Sequence, residues 1–403
     1  MSRLIEGAAV IGQSGGPTAV INQSLVGVVE GLRGFRQIKK IYGMRHGVDG
    51  LIKGLPLVDL GALASDLLER IARTPSAALG SSRSKPQEAD CARIFEACRA
   101  AEIHYFFYIG GNDSSDTCRI VYEMGQRSGY DLRCFHVPKT IDNDLMVNDH
   151  TPGFASAARY VAMAFMADDR DNASLPGIKI NVVMGRNAGF LTAASAMARR
   201  EEGDGPHLIY LPEVPFDPDR FIEDVKGVIA RHNRCQIAVS EGIKDREGQD
   251  IASRLIANAQ TDAHGNAQLS GSGALGDMLA SLIKERIKSP SGKPPRVRAD
   301  TLGYLQRCWP EPSHVDAQEA RQVGVKAATE ATGGAASGSV AIMRLSNHPY
   351  RIEKRLIPLS EVAAKTKVMP PEFIQGTHDV SRLYLDYLRP LVGELPHFAR
   401  LPL

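Results

Sequence analysis

Along the chain, short runs of consecutive apolar residues alternate with longer stretches whose apolar positions recur at helical spacing. Residues 7–12 (GAAVIG) predict a buried strand that ends in Gln13-Ser14-Gly15-Gly16. Pro17 then opens a helix running toward residue 34, since proline is tolerated in a first helical turn. Residues 104–109 (HYFFYI) predict a strand ending in Gly110-Gly111, and residues 134–137 one followed at once by Pro138. Residues 178–184 predict another, ending in Gly185-Arg186, and 208–211 and 236–239 two more. Helical stretches lie between them at 87–101, 114–126, 153–167 and 188–199, and turn-rich loops at 289–295 (SPSGKPP) and 333–338 (GGAASG). Strand–helix alternation of this kind specifies an α/β fold with mainly parallel sheets covered by helices.

At 403 residues the chain exceeds one typical core, so two domains are expected. Hydrophobic residues at 43% and charged residues at 23% describe an ordinary soluble protein. A formal net charge of +2 argues against nucleic acid or a membrane surface as the main partner. None of the six cysteines (91, 98, 118, 134, 235 and 308) forms a C-x-x-C pair, and their sparse spacing suggests neither zinc nor a disulfide framework. A reducing cytoplasm is the expected setting. The first 16 residues lack the pattern of a signal peptide, and no window approaches the ~18 apolar residues of a membrane span.

The unusual residues cluster just after predicted strands, where open α/β sheets bind ligands. Gly15-Gly16 would let a phosphate approach backbone N–H groups, or would simply form a tight turn. Gly80-Ser81-Ser82-Arg83-Ser84-Lys85 offers hydroxyl donors and two cations to phosphate oxygens, or is a solvated basic loop. In Gly110-Gly111-Asn112-Asp113-Ser114, Asp113 is placed to ligate Mg²⁺; Asn112 and Asp113 would equally serve as helix caps. Pro138-Lys139-Thr140-Ile141-Asp142-Asn143-Asp144 puts a lysine and two carboxylates within six residues. Phosphoryl transfer to an alcohol needs a base for the hydroxyl proton, positive charge on the transferring group and a metal across the phosphates. Asp142 suits the base, Lys139 the charge and Asp144 an orienting acid; the alternative is an Asx turn at the surface. Arg186, in Met184-Gly185-Arg186, would fork onto a phosphate or form a surface ion pair.

Taken in order, these segments resemble the phosphofructokinase superfamily. The likeness runs from Gly12 to about Tyr350 and takes in Thr151-Pro152-Gly153-Phe154, Pro212-Glu213 and Leu302-Gly303-Tyr304-Leu305-Gln306-Arg307. The resemblance implies two stacked Rossmann-like three-layer domains. Donor-side residues would lie mainly in 1–137 and sugar-side residues in 138–320, with 321–403 returning to the first domain. It implies that Asp142 deprotonates the 1-hydroxyl of fructose 6-phosphate. Thr140, Ile141, Met184, Gly185, Arg186 and Glu213 would hold the sugar, and Arg298, Tyr304 and Arg307 its 6-phosphate. Gly16, Arg83, Lys85 and the Asn112-Asp113 loop would hold the phosphoryl donor and Mg²⁺.

ATP-using relatives carry glycines at the positions of Asp113 and Lys139. A carboxylate there would repel and crowd a nucleotide's α-phosphate, and the lysine adds a cation for a compact donor. The resemblance is therefore to the diphosphate-dependent type, acting reversibly, in a homodimer or homotetramer. Asn112 departs from the family's pattern, in which an acid holds the metal. The rival readings are an ATP-dependent kinase, a non-catalytic sugar-phosphate-binding subunit and a dinucleotide-binding oxidoreductase. The last lacks G-x-G-x-x-G spacing at residue 12.

Overall fold

The computed structural model describes residues 5–255, 272–288 and 292–401. Within the predicted loop at 289–295, residues 289–291 lie outside the described residues; 292–295 are irregular. The chain forms two compact units, the first from residues 1–156 and 307–367 and the second from 157–260, 267–306 and 368–403. The expected ranges shift accordingly. Residues 138–156 belong to the first unit, and 368–403 to the second rather than returning to the first.

The first unit is built on a seven-stranded sheet of β1 (Gly7–Gln13), β2 (Ile38–Gly43), β3 (Val58–Asp59), β4 (Ile103–Gly110), β5 (Arg133–Pro138), β10 (Ser337–Asn347) and β11 (Tyr350–Ile357). Its strand order is β11-β10-β5-β4-β1-β2-β3. The centre, β10-β5-β4-β1-β2, is parallel, and antiparallel β11 and β3 close the two edges. Every residue of β1 is buried, as expected for a strand covered on both faces. Alternate side chains of the central strands supply two cores. Ala9, Ile11, Tyr105, Phe107, Ile109, Phe135 and Val137 pack under helices Ile21–Leu32 and His314–Thr332. Ala8, Val10, Ile103, Phe106, Tyr108 and Cys134 face helices Glu88–Ala100 and Asn112–Arg127. Helices 21–32 and 314–332 touch through glycine. A Cβ on Gly27 would come within 2.1 Å of the Arg321 carbonyl oxygen, and one on Gly324 within 2.3 Å of that of Ser24.

The second unit carries a four-stranded parallel sheet, β7-β8-β6-β9, made of β6 (Ile178–Val183), β7 (Leu208–Tyr210), β8 (Cys235–Ser240) and β9 (Val297–Thr301). Ile178, Ile180, Val182, Cys235, Ile237 and Val239 share one core with Phe221 and Val225 of helix Pro218–His232 and Leu279 and Ile283 of helix Ala274–Arg286. The opposite face is more polar: Gln236 and Asn181 donate to Asp168 Oδ2 at 2.8 and 2.7 Å. Helix Phe154–Ser174 runs seven residues past its expected end at 167. The helix predicted at 188–199 divides into Phe190–Ala194 and a 3₁₀ turn, Ser195–Ala198. Gly338, predicted in a turn, lies within β10. Among the described residues no helix is long and apolar enough to cross a membrane.

Candidate active site

In the first unit, the turn after β1 is the floor of a cationic cluster. Gly15 sits at φ +74°, which glycine adopts freely. Its N–H donates to Ser82 O at 2.9 Å, and Ser81 Oγ donates to Gly15 O at 2.5 Å, so the two predicted phosphate loops are joined. The helix expected to follow at Pro17 starts only at Ile21, with Val20 as a cap lacking a side-chain hydrogen bond. Gly15-Gly16 therefore lies outside any helical turn, and the attraction for an anion comes from cations instead. Lys139 Nζ donates to Gly16 O at 2.7 Å. A Cβ on Gly16 would come within 2.8 Å of the Arg307 guanidinium carbon, and one on Gly15 within 3.1 Å of Lys139 Nζ. Both glycines leave space that the two cations take up.

Lys139 is 3% exposed. Burial, and next the charge of Arg307, push its ammonium down to about 7; Asp142 pulls against this, Arg83 adds to it and Asp144 opposes it. The structure thus groups Gly16, Arg83, Lys139, Asp142, Asp144 and Arg307. Arg307, expected to bind a sugar phosphate, lies over Gly16. Lys85 turns to Asp116, pairing with its Oδ2 at 2.6 Å, and the same carboxylate takes Arg119.

β5 delivers the acidic loop. Lys139 N donates to Gly110 O at 2.9 Å and Thr140 N to Pro152 O at 3.2 Å. Thr151 Oγ1 donates to Thr140 O at 2.8 Å, and Asp142 N to Thr140 Oγ1 at 3.1 Å. A surface Asx turn is excluded, because Ile141 and Asn143 are buried and Asp142 is half-buried. The Ile141 side chain packs inward, leaving its backbone for any polar contact. Asn143 and Val147 adopt left-handed φ values of +59° and +67°. Such strain at non-glycine residues persists only where surrounding contacts impose it. Burial, then the Asp142 charge, raise the Asp144 carboxyl well above its ordinary value.

Helix Asn112–Arg127 is capped by Gly111, so Asn112 and Asp113 occupy its first turn and do not act as caps. Asp113 is exposed, where the helix dipole favours a carboxylate. Asn112 Nδ2 donates to Asp144 Oδ2 at 3.1 Å, while its Oδ1 is buried with no hydrogen-bond partner among the described residues. Among those residues no three or more His, Cys, Asp or Glu side chains form a metal cage. A magnesium ion fits this arrangement all the same. It takes one or two protein oxygens, with substrate phosphates and waters completing the shell, and Asn112 Oδ1 and Asp113 offer such oxygens.

In the second unit, β6 ends in a tightly held turn. Met184 is buried, and its N–H donates to Gln306 Oε1 at 3.3 Å. Gly185 has φ +121°, and a Cβ there would come within 2.6 Å of Ala188 O. Ser240 Oγ donates to Gly185 O at 2.7 Å, and Gly185 N donates to Glu241 Oε1 at 3.4 Å. A side chain on Gly242 would strike the Arg186 carbonyl, at 1.9 Å. Glu213 Oε1 accepts from the N–H groups of Gly189 and Met369 at 2.9 and 3.0 Å. Its Oε2 is buried without a hydrogen-bond partner among the described residues, and burial raises its carboxyl above the usual range. Arg298 stands exposed on β9, and Tyr304 is 45% exposed on the 3₁₀ turn Gly303–Gln306.

Sequence reasoning missed Glu241, Asp316 and Lys367. Glu241 directly follows β8, so the strand-end rule would have found it. Asp316 accepts from the N–H groups of Gly153 and Ser156, both at 2.9 Å, across 163 and 160 residues of chain, and no local pattern announces such a contact.

The Phosphofructokinase family model matches residues 8–331. A pyrophosphate–fructose 6-phosphate 1-phosphotransferase from Rhodospirillum rubrum is 53% identical, covering 99% of this chain and 97% of its own. One from Halomonas elongata is 37% identical, covering 95% and 91%. The crystal structure of a pyrophosphate-dependent phosphofructokinase from Marinobacter aquaeolei superimposes with a TM-score of 0.83 at 33% identity, covering 98% of this chain and 94% of that one. The chain belongs to the phosphofructokinase family.

Proposed function

We propose that this protein transfers a phosphoryl group from diphosphate to the 1-hydroxyl of fructose 6-phosphate, giving fructose 1,6-bisphosphate and phosphate, and runs the reverse reaction as well. The observation that carries this reading is the buried Lys139 ammonium on Gly16 O with Arg307 and Arg83 close by. Three neighbouring cations repel one another until a compact polyanion sits among them. Diphosphate is that anion. The names of the most similar relatives support the same donor and acceptor.

Asp142 takes the hydroxyl proton as the sugar oxygen attacks the terminal phosphorus. The bridging P–O bond breaks and phosphate leaves. Lys139, Arg307 and Arg83 offset the charge spread over the transferring group. Asp144, hydrogen-bonded to Asn112, orients the loop. Asn112 Oδ1 and Asp113 would hold Mg²⁺, which would supply positive charge to offset that of the phosphate oxygens. On the second unit, Met184, Gly185, Arg186 and the open Glu213 Oε2 are assigned to the sugar hydroxyls, and Arg298 and Tyr304 to its phosphate. Six free thiols, five of them buried, suit the reducing cytoplasm. A homodimer or homotetramer is the assembly the family suggests.

The test is a steady-state assay of the purified chain with diphosphate and with ATP, across several sugar phosphates and with Mg²⁺ supplied or chelated. Turnover is expected with diphosphate, fructose 6-phosphate and Mg²⁺. Turnover with ATP and none with diphosphate overturns the donor assignment.

A further inference from the structure

Asp142 and Asp144 stand on a strained segment that follows β5. We propose that Lys367, 223 positions further along the chain than Asp144, is a positioning residue for this acidic loop, acting through Asn143 between the two carboxylates; the proposal rests on the phosphoryl-transfer reading above. Lys367 makes a double attachment. Its backbone N–H donates to Asp144 O at 2.7 Å, beside an antiparallel bridge between Leu145 and Thr366. Its Nζ donates to Asn143 Oδ1 at 3.3 Å, Asn148 O at 2.7 Å and Asp149 O at 2.9 Å. An ammonium has three donors, and three acceptors from one loop surround it.

The loop needs such a hold. Asn143 and Val147 both carry positive φ, and the second is β-branched, for which that conformation is a genuine outlier. On the far side the loop is tied to β10, where Ile342 N donates to Asn148 Oδ1 at 3.1 Å and Asp149 N donates to Ile342 O at 2.8 Å. Lys367 closes the near side, so the loop is stretched between two fixed supports with Asp142 and Asp144 at its start. A misplacement of about 1 Å at a catalytic group is enough to cost on the order of 10²-fold in rate.

The experiment compares wild type, Lys367→Met, Asn143→Ala and the double variant in steady-state kinetics with diphosphate and fructose 6-phosphate. Lys367→Met is expected to lower kcat at least about 10-fold while both KM values stay within about threefold, because an interaction felt in the transition state is lost. The two single losses should not multiply fully in the double variant, since the Lys367–Asn143 contact is broken by both. If kcat stays within twofold of wild type, or if the two effects multiply independently, the proposal is overturned. Should Lys367→Met fail to fold, Asn143→Ala is the second variant, removing the Oδ1 acceptor with the rest of the amide. It is expected to lower kcat at least about fivefold at unchanged KM, and a kcat within twofold of wild type sinks the idea. Wild type serves as the control for the reading beneath. If it does not turn over diphosphate with fructose 6-phosphate, the reaction assignment fails, and the same four proteins are compared with ATP, the donor of the rival reading.

Discussion

Lys139 is a lysine deprived of the water that normally keeps it charged, and set beside two arginines. Above a pH of about 7 the free site therefore loses that proton. A bound polyanion favours the ammonium, so diphosphate binding should draw a proton onto the protein, and apparent affinity should weaken as pH climbs past 7. Titration calorimetry in buffers of different ionisation heat reads this uptake directly, and Lys139→Met should abolish it. The same shift has a sign in stability. Between about 7 and the ordinary lysine value of 10.5 the unfolded chain binds the extra proton. Stability from this group therefore rises with pH across that window and is absent below it. Denaturant titrations of Lys139→Met should show a flatter slope there. Asp142→Asn keeps the shape of the loop and removes the base, so kcat should fall by at least about 10²-fold with the fold intact; near-normal turnover would take the base role from Asp142. Each of these side chains was legible from its place after a strand. Their partners were not: the charge of Arg307 acts on Lys139 across 168 positions of chain, and no local pattern announces it.

At the scale of elements, the buried central strands were readable because β1, β4 and β5 are continuous apolar runs, which is what a sheet covered on both faces requires. β2 was not, since Ile38-Lys39-Lys40-Ile41 puts two consecutive exposed lysines in the strand and breaks the apolar run. β10 hid behind glycines that read as a turn, although its register beside β5 fixes Gly338 opposite Phe135. Helix 188–199 broke because its apolar content serves a buried 3₁₀ turn. The contact between helices 21–32 and 314–332 yields a direct test. Gly27 has carbonyl backbone where a methyl group would go, and backbone cannot swing aside as a side chain can. Gly27→Ala should cost roughly 2 kcal/mol or more, the range for overpacking a tight contact, despite alanine's better helix propensity. Thermal unfolding checks it; an unchanged or raised Tm would show that the helices have room to part.

For the whole molecule, the order of the chain matters as much as the arrangement of its strands. The first unit borrows residues 307–367, which arrive only after most of the second unit has been written. A protein truncated after Gln306 retains β1 to β5 but lacks helix 314–332, the cover of one face, and β10, the neighbour of β5. That fragment should expose an unpaired strand edge and aggregate, detectable by light scattering and loss of cooperative melting; a soluble, cooperatively folding fragment would contradict it. Domain number was predictable from length, but this exchange of segments was not, because nothing local marks where a chain leaves one core for another. A ribosome meets the same constraint. Until residues 307–367 are made the nascent polypeptide holds a sheet it cannot finish, so the first unit can lock only after the whole second sheet has been synthesised and the segment that carries Lys367 has emerged.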